Sequence, residues 1–163
     1  MATTLPVKIE FSLPEGWQPA PPDEVGAPGV AFIALHPESQ DKFTANITIA
    51  GKVRDEADLL TLAQESVQRL REGATVSVAT QAQGGTPEVP ALTQTLRIST
   101  TLRGLPVELV QSQVYLLMHD AHDPAKRAVI ELALTAKQSQ LDQVADDFQE
   151  FVRSIRPAGP DAA

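Results

Sequence analysis

Along most of this chain apolar and polar residues alternate with a period of two, and only twice does the period lengthen to that of a helix. In "VKIEFSL", Val7, Ile9, Phe11 and Leu13 fall on one side, which predicts a half-buried strand. "VAFIALH" (30–36) is apolar on both sides and reads as a more central strand. "FTANITIA" (43–50) alternates again, with Phe43, Ala45, Ile47 and Ile49 facing one way, and the short polar "PESQDK" before it reads as a hairpin connection. The period then changes. Leu59, Leu62, Ala63, Ser66, Val67 and Leu70 recur at helical spacing, with Asp55 placed as N-cap, Asp58 three residues on, and Gly73 where a C′ glycine would end the helix.

"ATVSVAT" returns to strand periodicity. Two long alternating runs follow, "LTQTLRISTTL" and "PVELVQSQVYLLMH", joined by a tight "RGL" that predicts a hairpin. "RAVIELALTA" is the last strand expected in the sheet. Helical spacing reappears in Leu141, Val144, Ala145, Phe148, Val152 and Ile155, opened by a box-like cap at Ser139 and Asp142 and stopped by Pro157. "QPAPPDEVGAPG" and "QGGTPEVP" are too rich in Pro and Gly for regular structure and read as loops.

Three strands, a helix, four strands and a helix, with short connections among the strands, imply an α+β fold. Its predominantly antiparallel sheet of six to seven strands is packed by two main helices. No internal repeat or linker breaks the order, so a single domain is expected over residues 1–157, followed by a disordered tail at 158–163. The alternation also divides the strands by face. Leu92, Leu96, Ile98 and Leu102 lie on one side, while Thr93, Thr95, Arg97, Ser99 and Thr101 lie on the other. Thr44, Asn46 and Thr48 oppose Phe43, Ala45, Ile47 and Ile49 in the same way. A strand buried on both faces loses this polar alternation, so part of the sheet is expected to present a Thr/Ser/Asn surface to solvent or to a partner. Thr93, Thr95, Arg97, Ser99 and Thr101 are the candidate partner-binding residues.

Composition narrows the chemistry. A net charge of −8 and scattered basic residues argue against a phosphate-backbone ligand. The chain has no cysteine, which removes disulfides, thiolate zinc sites, a cysteine nucleophile and the lipidation site of a bacterial lipoprotein. "MATTLPVKIEF" has neither a basic start nor a signal-length apolar run, and no later segment reaches membrane-spanning length, so a cytoplasmic location is expected. "HDAHD" gathers His119, Asp120, His122 and Asp123, but Pro124 and the flanking strands make this a solvated hairpin tip rather than a metal site. There is no nucleophile elbow, no recognisable Ser/His/acid arrangement and no phosphate loop with its lysine, so neither an enzyme nor a cofactor is expected.

"FSLPEGW", "VAFIALHPES", "FTANITIA", "VELVQSQVYLL", "RAVIELALTA" and "DDFQEFVRSIRP", taken in that order, resemble the PsbP-like superfamily, and within it the actinobacterial LpqN-type proteins. The resemblance runs from about Val7 to Pro157. It implies an α/β/α sandwich with helices on both sheet faces and a non-enzymatic accessory or binding role; a protein partner, engaged by a monomer or weak dimer, is the expectation. A carrier or sensor of a small apolar ligand in a sheet–helix cleft is the alternative. LpqN-type members are typically exported lipoproteins, and this chain departs from them in lacking the lipidation cysteine. On the two Thr-rich strands the residue pattern and the resemblance disagree, the pattern leaving a face open where the resemblance covers it. The single tryptophan, Trp17, emerges from the Pro-Glu-Gly turn and is expected to lie buried as a lid on the core; a partner-binding hot spot is the other reading.

Overall fold

A computed structural model describes residues 9–21, 30–36, 44–53, 59–86, 90–102, 104–119 and 127–157. Its elements in chain order are β1 (Ile9–Glu10), β2 (Gln18–Ala20), β3 (Phe32–Leu35), β4 (Asn46–Val53), α1 (Leu59–Arg71), β5 (Thr75–Gly85), β6 (Pro90–Leu102), β7 (Leu105–His119), β8 (Arg127–Lys137), α2 (Gln138–Ser154) and β9 (Arg156–Pro157). Seven strands form one antiparallel sheet in the order β2-β3-β4-β8-β7-β6-β5. The α+β architecture with two helices on this sheet is the one the periodicities imply.

The two helices lie on opposite faces, and each covers only part of its face. Leu62, Ala63 and Val67 of α1 sit over the side of β5, β6 and β7 that carries Leu92, Leu96, Ile98 and Leu109. Val144, Phe148 and Phe151 of α2 sit over the other side of β7, β8 and β4, against Val114, Ile130, Leu132, Leu134 and Ile47. Register explains the split. Leu92 pairs with Tyr115 on one face, whereas Ser112 pairs with Leu134 and Leu134 with Ile47 on the other. Pattern and resemblance are thereby reconciled: helices do occupy both faces, yet the α2-side face of β5 and β6 extends beyond α2.

Several sequence expectations shift. The alternation over Val7–Leu13 reports a buried side, but not membership of the large sheet. Only Ile9–Glu10 is strand among the described residues, and it pairs with β9 in a separate two-stranded ribbon. Ile9, Phe11 and Leu13 still pack on the α2-side core, Phe11 meeting Phe32 and Phe151 edge-on at 5.0 and 5.4 Å. The Pro- and Gly-rich run "QPAPPDEVGAPG" predicts a loop, yet its first residues form β2, with Pro19 at the centre. Proline is tolerated on an edge strand, where an unpaired N–H would face solvent, and β2 is the sheet's edge. The strand beginning at Thr75 runs on through Gly84 and Gly85, where "QGGTPEVP" predicts a loop.

The helix boundaries shift as well. α2 begins at Gln138, so Ser139 lies inside it. The side chain of Gln140, not Asp142, takes the capping role by accepting the Lys137 N–H at 2.7 Å. Phe151, absent from the predicted stripe, is fully buried beneath α2. Gly73 does not take a left-handed conformation; α1 closes instead through Glu72 and Gly73 N–H groups bonded to the Arg69 and Leu70 carbonyls. The expected cap at Asp55–Asp58, the hairpin at 37–42 and the tail at 158–163 lie outside the described residues. Leu102 and Leu105 pair across the "RGL" turn, which Gly104 closes with a φ of 79°. Among the described residues no helix is long and apolar enough to cross a membrane.

Candidate functional site

The turn before Trp17 is built on one glycine. The Trp17 N–H reaches the Pro14 carbonyl at 3.4 Å, and Gly16 takes a φ of 93°. A Cβ there would also come within 3.3 Å of His36 Nε2, so glycine is demanded by conformation and by space. The turn aims the indole inward. Trp17 is buried, its ring lies 5.0 Å from that of His36, and Nε1–H donates to Asp147 Oδ2 of α2 at 3.0 Å. The lid reading holds for this residue.

Thr93, Thr95, Arg97 and Ser99 project from β6 on the α2-side face, beyond the reach of α2; Thr93 and Arg97 are exposed, and Thr95 and Ser99 are half-buried. Their cross-strand neighbours on β5 are Ala82, Thr80, Ser77 and Thr75, all exposed, so the predicted set continues onto the next strand. Thr101 is exposed at the end of the row, opposite Pro106. Ser99 Oγ donates to Glu108 Oε2 of β7 at 2.6 Å, which sets an acidic rim. β5 and β6 together carry one charged side chain, Arg97, within a chain of net charge −8. Asn46 and Thr48 of β4 do not join this surface. They lie on the opposite, α1-side face, because Thr48 pairs with Ala133, Ala133 with Gln113, and Gln113 with Gln94.

The two edges of the sheet differ. β2 is three residues long and contains Pro19, both of which discourage further pairing. β5 is eleven residues long, uncharged, and exposed at every position but Val76. Its one irregularity is a register shift between Val78 and Thr80. Val78 is an exposed apolar residue at 43%, and it lines an open groove of about 700 Å³ between β5 and α1 with Val67, Gln64, Gln68 and Gln81.

Beneath α1 the sheet carries a polar array that the sequence reading missed. Gln94 and Gln113, at 2% and 6% exposure, pair in register across β6 and β7. Gln113 Nε2 donates to Ser66 Oγ at 3.1 Å and to Gln111 Oε1 at 2.5 Å, while Gln113 Oε1 accepts from Gln94 Nε2 at 2.6 Å and from the Tyr115 hydroxyl at 2.9 Å. Both donors and both lone pairs of this amide are therefore used. Gln94 also donates to the Ala63 carbonyl at 3.3 Å and accepts from Gln81 at 3.1 Å, and Gln111 donates to Thr135 Oγ1 at 2.9 Å. The row spans β5 to β8 and clamps α1 at Ala63 and Ser66, whose small side chains allow close approach.

Burial pushes the Tyr115 phenol up to about 12; the Glu131 charge reinforces this, and hydrogen bonding to Ser66 and the Arg69 charge oppose it. The signal for this array was present in "LTQTLRI" and "VQSQVYL". Gln94 shares parity with Leu92 and Leu96, and Gln111 and Gln113 share it with Tyr115. Among the described residues no group of His, Asp or Glu forms a metal-binding cluster. His119 ends β7, while Asp120, His122 and Asp123 lie outside the described residues.

No protein-family model matches the chain, and no curated protein matches it in sequence. Solved structures do match its fold. LpqN of Mycobacterium tuberculosis, described as involved in cell envelope biogenesis, superposes with a TM-score of 0.61 at 13% identity, over 91% of this chain and 83% of that one. Cyanobacterial PsbP from Synechocystis sp. PCC 6803 gives a TM-score of 0.60 at 11% identity, over 91% of this chain and 86% of its own. The Ran-binding protein Mog1p of Saccharomyces cerevisiae gives 0.55 at 13% identity, over 94% and 92%. At these identities the comparison shows the fold alone, and the chain has a PsbP-like fold.

Proposed function

We propose that this chain is a non-catalytic binding module that engages a protein partner by accepting one of the partner's extended segments alongside β5. The observation that carries the reading is the contrast between the two sheet edges. One is short and proline-bearing; the other is eleven residues of uncharged, exposed strand. Free edges are normally blunted by charge, proline or cover, because their unpaired N–H and C=O groups template pairing. An eighth strand beside β5 would take its affinity from the main chain and its specificity from side chains on alternate faces. On one face it would meet the Thr/Ser row with Arg97, and on the other the Val78 groove. A protein partner also accords with the Ran-binding protein among the structural neighbours. The cavity beneath α1 sets the Glu131 carboxylate and several amides and hydroxyls beside Val30, Ala50 and Leu132, and this mixed lining suits apolar cargo poorly.

The test begins with affinity capture from the native host and identification of the partner by mass spectrometry. In the reconstituted complex, amide exchange should slow along β5 more than elsewhere. Ser77→Lys with Ala82→Lys should abolish capture while the Tm stays within a few degrees. A partner held equally well by this variant, with β5 exchanging as in the free chain, overturns the reading.

A further inference from the structure

A second feature, independent of the β5 edge, lies on the α1-side face where the amide row ends. A cavity of about 160 Å³ opens there, lined by Thr48, Ser66, Gln111, Gln113, Tyr115 and Glu131. At about 30 Å³ per water it has room for about five waters, or for a compound of a few heavy atoms. Gln113 has no hydrogen-bonding capacity left, since all of it goes into the row. The Tyr115 proton is likewise committed to Gln113. Glu131 is different. It stands beside Tyr115 in register, and its Oε1 is buried with no hydrogen-bond partner.

A buried carboxylate oxygen without a donor is costly, and native structures supply one from protein, water or ligand. The wall therefore offers a surplus of acceptor and negative charge. A ligand that completes it must donate hydrogen bonds, carry positive charge and be small. Calcium and magnesium demand six or more oxygen ligands, and with the Gln113 oxygen saturated this wall does not provide them. We propose that the cavity binds a small primary ammonium compound, its –NH₃⁺ bonded to Glu131 and its short tail directed toward Thr48 and Ala50. An ammonium has three donors, enough for Glu131 and one further acceptor such as the Thr48 hydroxyl.

Tyr115 is the only tyrosine, so ring-labelled tyrosine gives an NMR reporter confined to this cavity. Ethylammonium and ethanolammonium chloride should shift its ring signals saturably. Propan-1-ol, similar in size but uncharged, should not, and neither should sodium, magnesium or calcium chloride. Glu131→Gln should weaken ammonium binding by roughly tenfold or more, as expected for a lost charge-assisted hydrogen bond. Trp17 fluorescence, which reports the opposite side of the sheet, checks that the variant is folded. The alcohol control operates on the unmodified chain and keeps the test decisive if the variant does not fold. Saturable shifts with calcium in place of ammonium, equal shifts with the alcohol, or no saturable shift at all would each overturn the proposal.

Discussion

The two sides of this sheet are built on different physics. Against α2 the contacts are apolar: Trp17, Ile47, Ile130, Leu132, Val144, Phe148 and Phe151 form one continuous cluster, with Phe11 stacked edge-on against Phe151. Against α1 the apolar contacts form two separate clusters, one around Leu92, Tyr115 and Val129 and the other around Leu96, Ile98 and Leu109. Between them runs the row of Gln81, Gln94, Gln113 and Gln111. Apolar burial is non-directional and roughly proportional to area, so the α2 side gains stability from many interchangeable contacts. Hydrogen-bonded amides are directional and gain little net stability when complete, but are costly when interrupted. One side of the sheet supplies stability. The other fixes where α1 sits.

The largest expected effects lie on the apolar side. Phe151→Ala removes a fully buried ring and should destabilise by about 3–5 kcal/mol. Trp17→Ala should cost about 3 kcal/mol, while Trp17→Phe keeps most of the burial and loses the bond to Asp147, for about 1 kcal/mol. Denaturant unfolding measures all three. The native Trp17 emission should be blue-shifted and move red on unfolding. If a substitution on the amide side cost as much as Phe151→Ala, the contrast between the two faces would fail.

On the amide side the same logic predicts strong coupling in place of a large single loss. Gln113→Leu strands the Gln94 amide, the Tyr115 hydroxyl and Ser66 together, and should cost roughly 2–3 kcal/mol. Gln94→Leu combined with Gln113→Leu removes both members of the amide–amide bond between β6 and β7. The second substitution takes away the amide that the first left short of a partner, at the cost of the Gln94 bonds to Ala63 and Gln81, so the double variant should lose less than the sum of the two singles. A double-mutant cycle gives the coupling directly. Additive losses would mean that the row is a set of separate pairs.

How much of this the sequence discloses follows the same division. Alternation located the long strands, the sheet class and most of the apolar side, because a period of two reports burial faithfully wherever one face is polar. It failed where the sheet order depends on pairing between distant segments. Ile9–Glu10 alternates correctly yet pairs with Arg156–Pro157, and Pro19 hid an edge strand. The amide row was overlooked for a different reason. Gln94 sits among leucines at the buried parity, and a glutamine there is read as an interruption until its partners are known. Gln111 and Gln113 repeat the interruption on the next strand. Ser66, within the apolar stripe of α1, was the clue that the interruptions face one another.

Tyr115 sharpens the contrast through pH. Its phenol is raised to about 12 in the folded chain, against about 10 when unfolded. Below pH 10 both states hold the proton, and its contribution to stability is fully present. Between about 10 and 12 the unfolded chain loses the proton first, so stability falls with rising pH. The slope attributable to this group approaches about 1.4 kcal/mol per pH unit. Absorbance titration of the single tyrosine should give a midpoint near 12. Tyr115→Phe should remove its share of the alkaline slope, and a midpoint near 10 would place the hydroxyl in solvent.

The smallest expected effect belongs to the surface that neither helix covers. Thr95→Lys with Arg97→Glu adds one charge to β6 and reverses another, between Ser77, Thr80, Val110 and Ser112. Arg97 is exposed and Thr95 half-buried, and neither lies under α2. Substitutions at such positions usually stay within about 0.5 kcal/mol, apart from threonine's modest preference for strands. The Tm should therefore barely move. If the partner segment lies along β5, its side chains on this face will meet the altered charges, and capture should weaken while the Lys-bearing edge variant abolishes it. That ordering separates main-chain pairing from side-chain readout. Equal and complete loss in both variants would make the face, not the edge, the principal contact. A large drop in Tm would mean that α2 or its neighbours cover β6 after all, and the open half-face would have to be given up along with the binding role assigned to it.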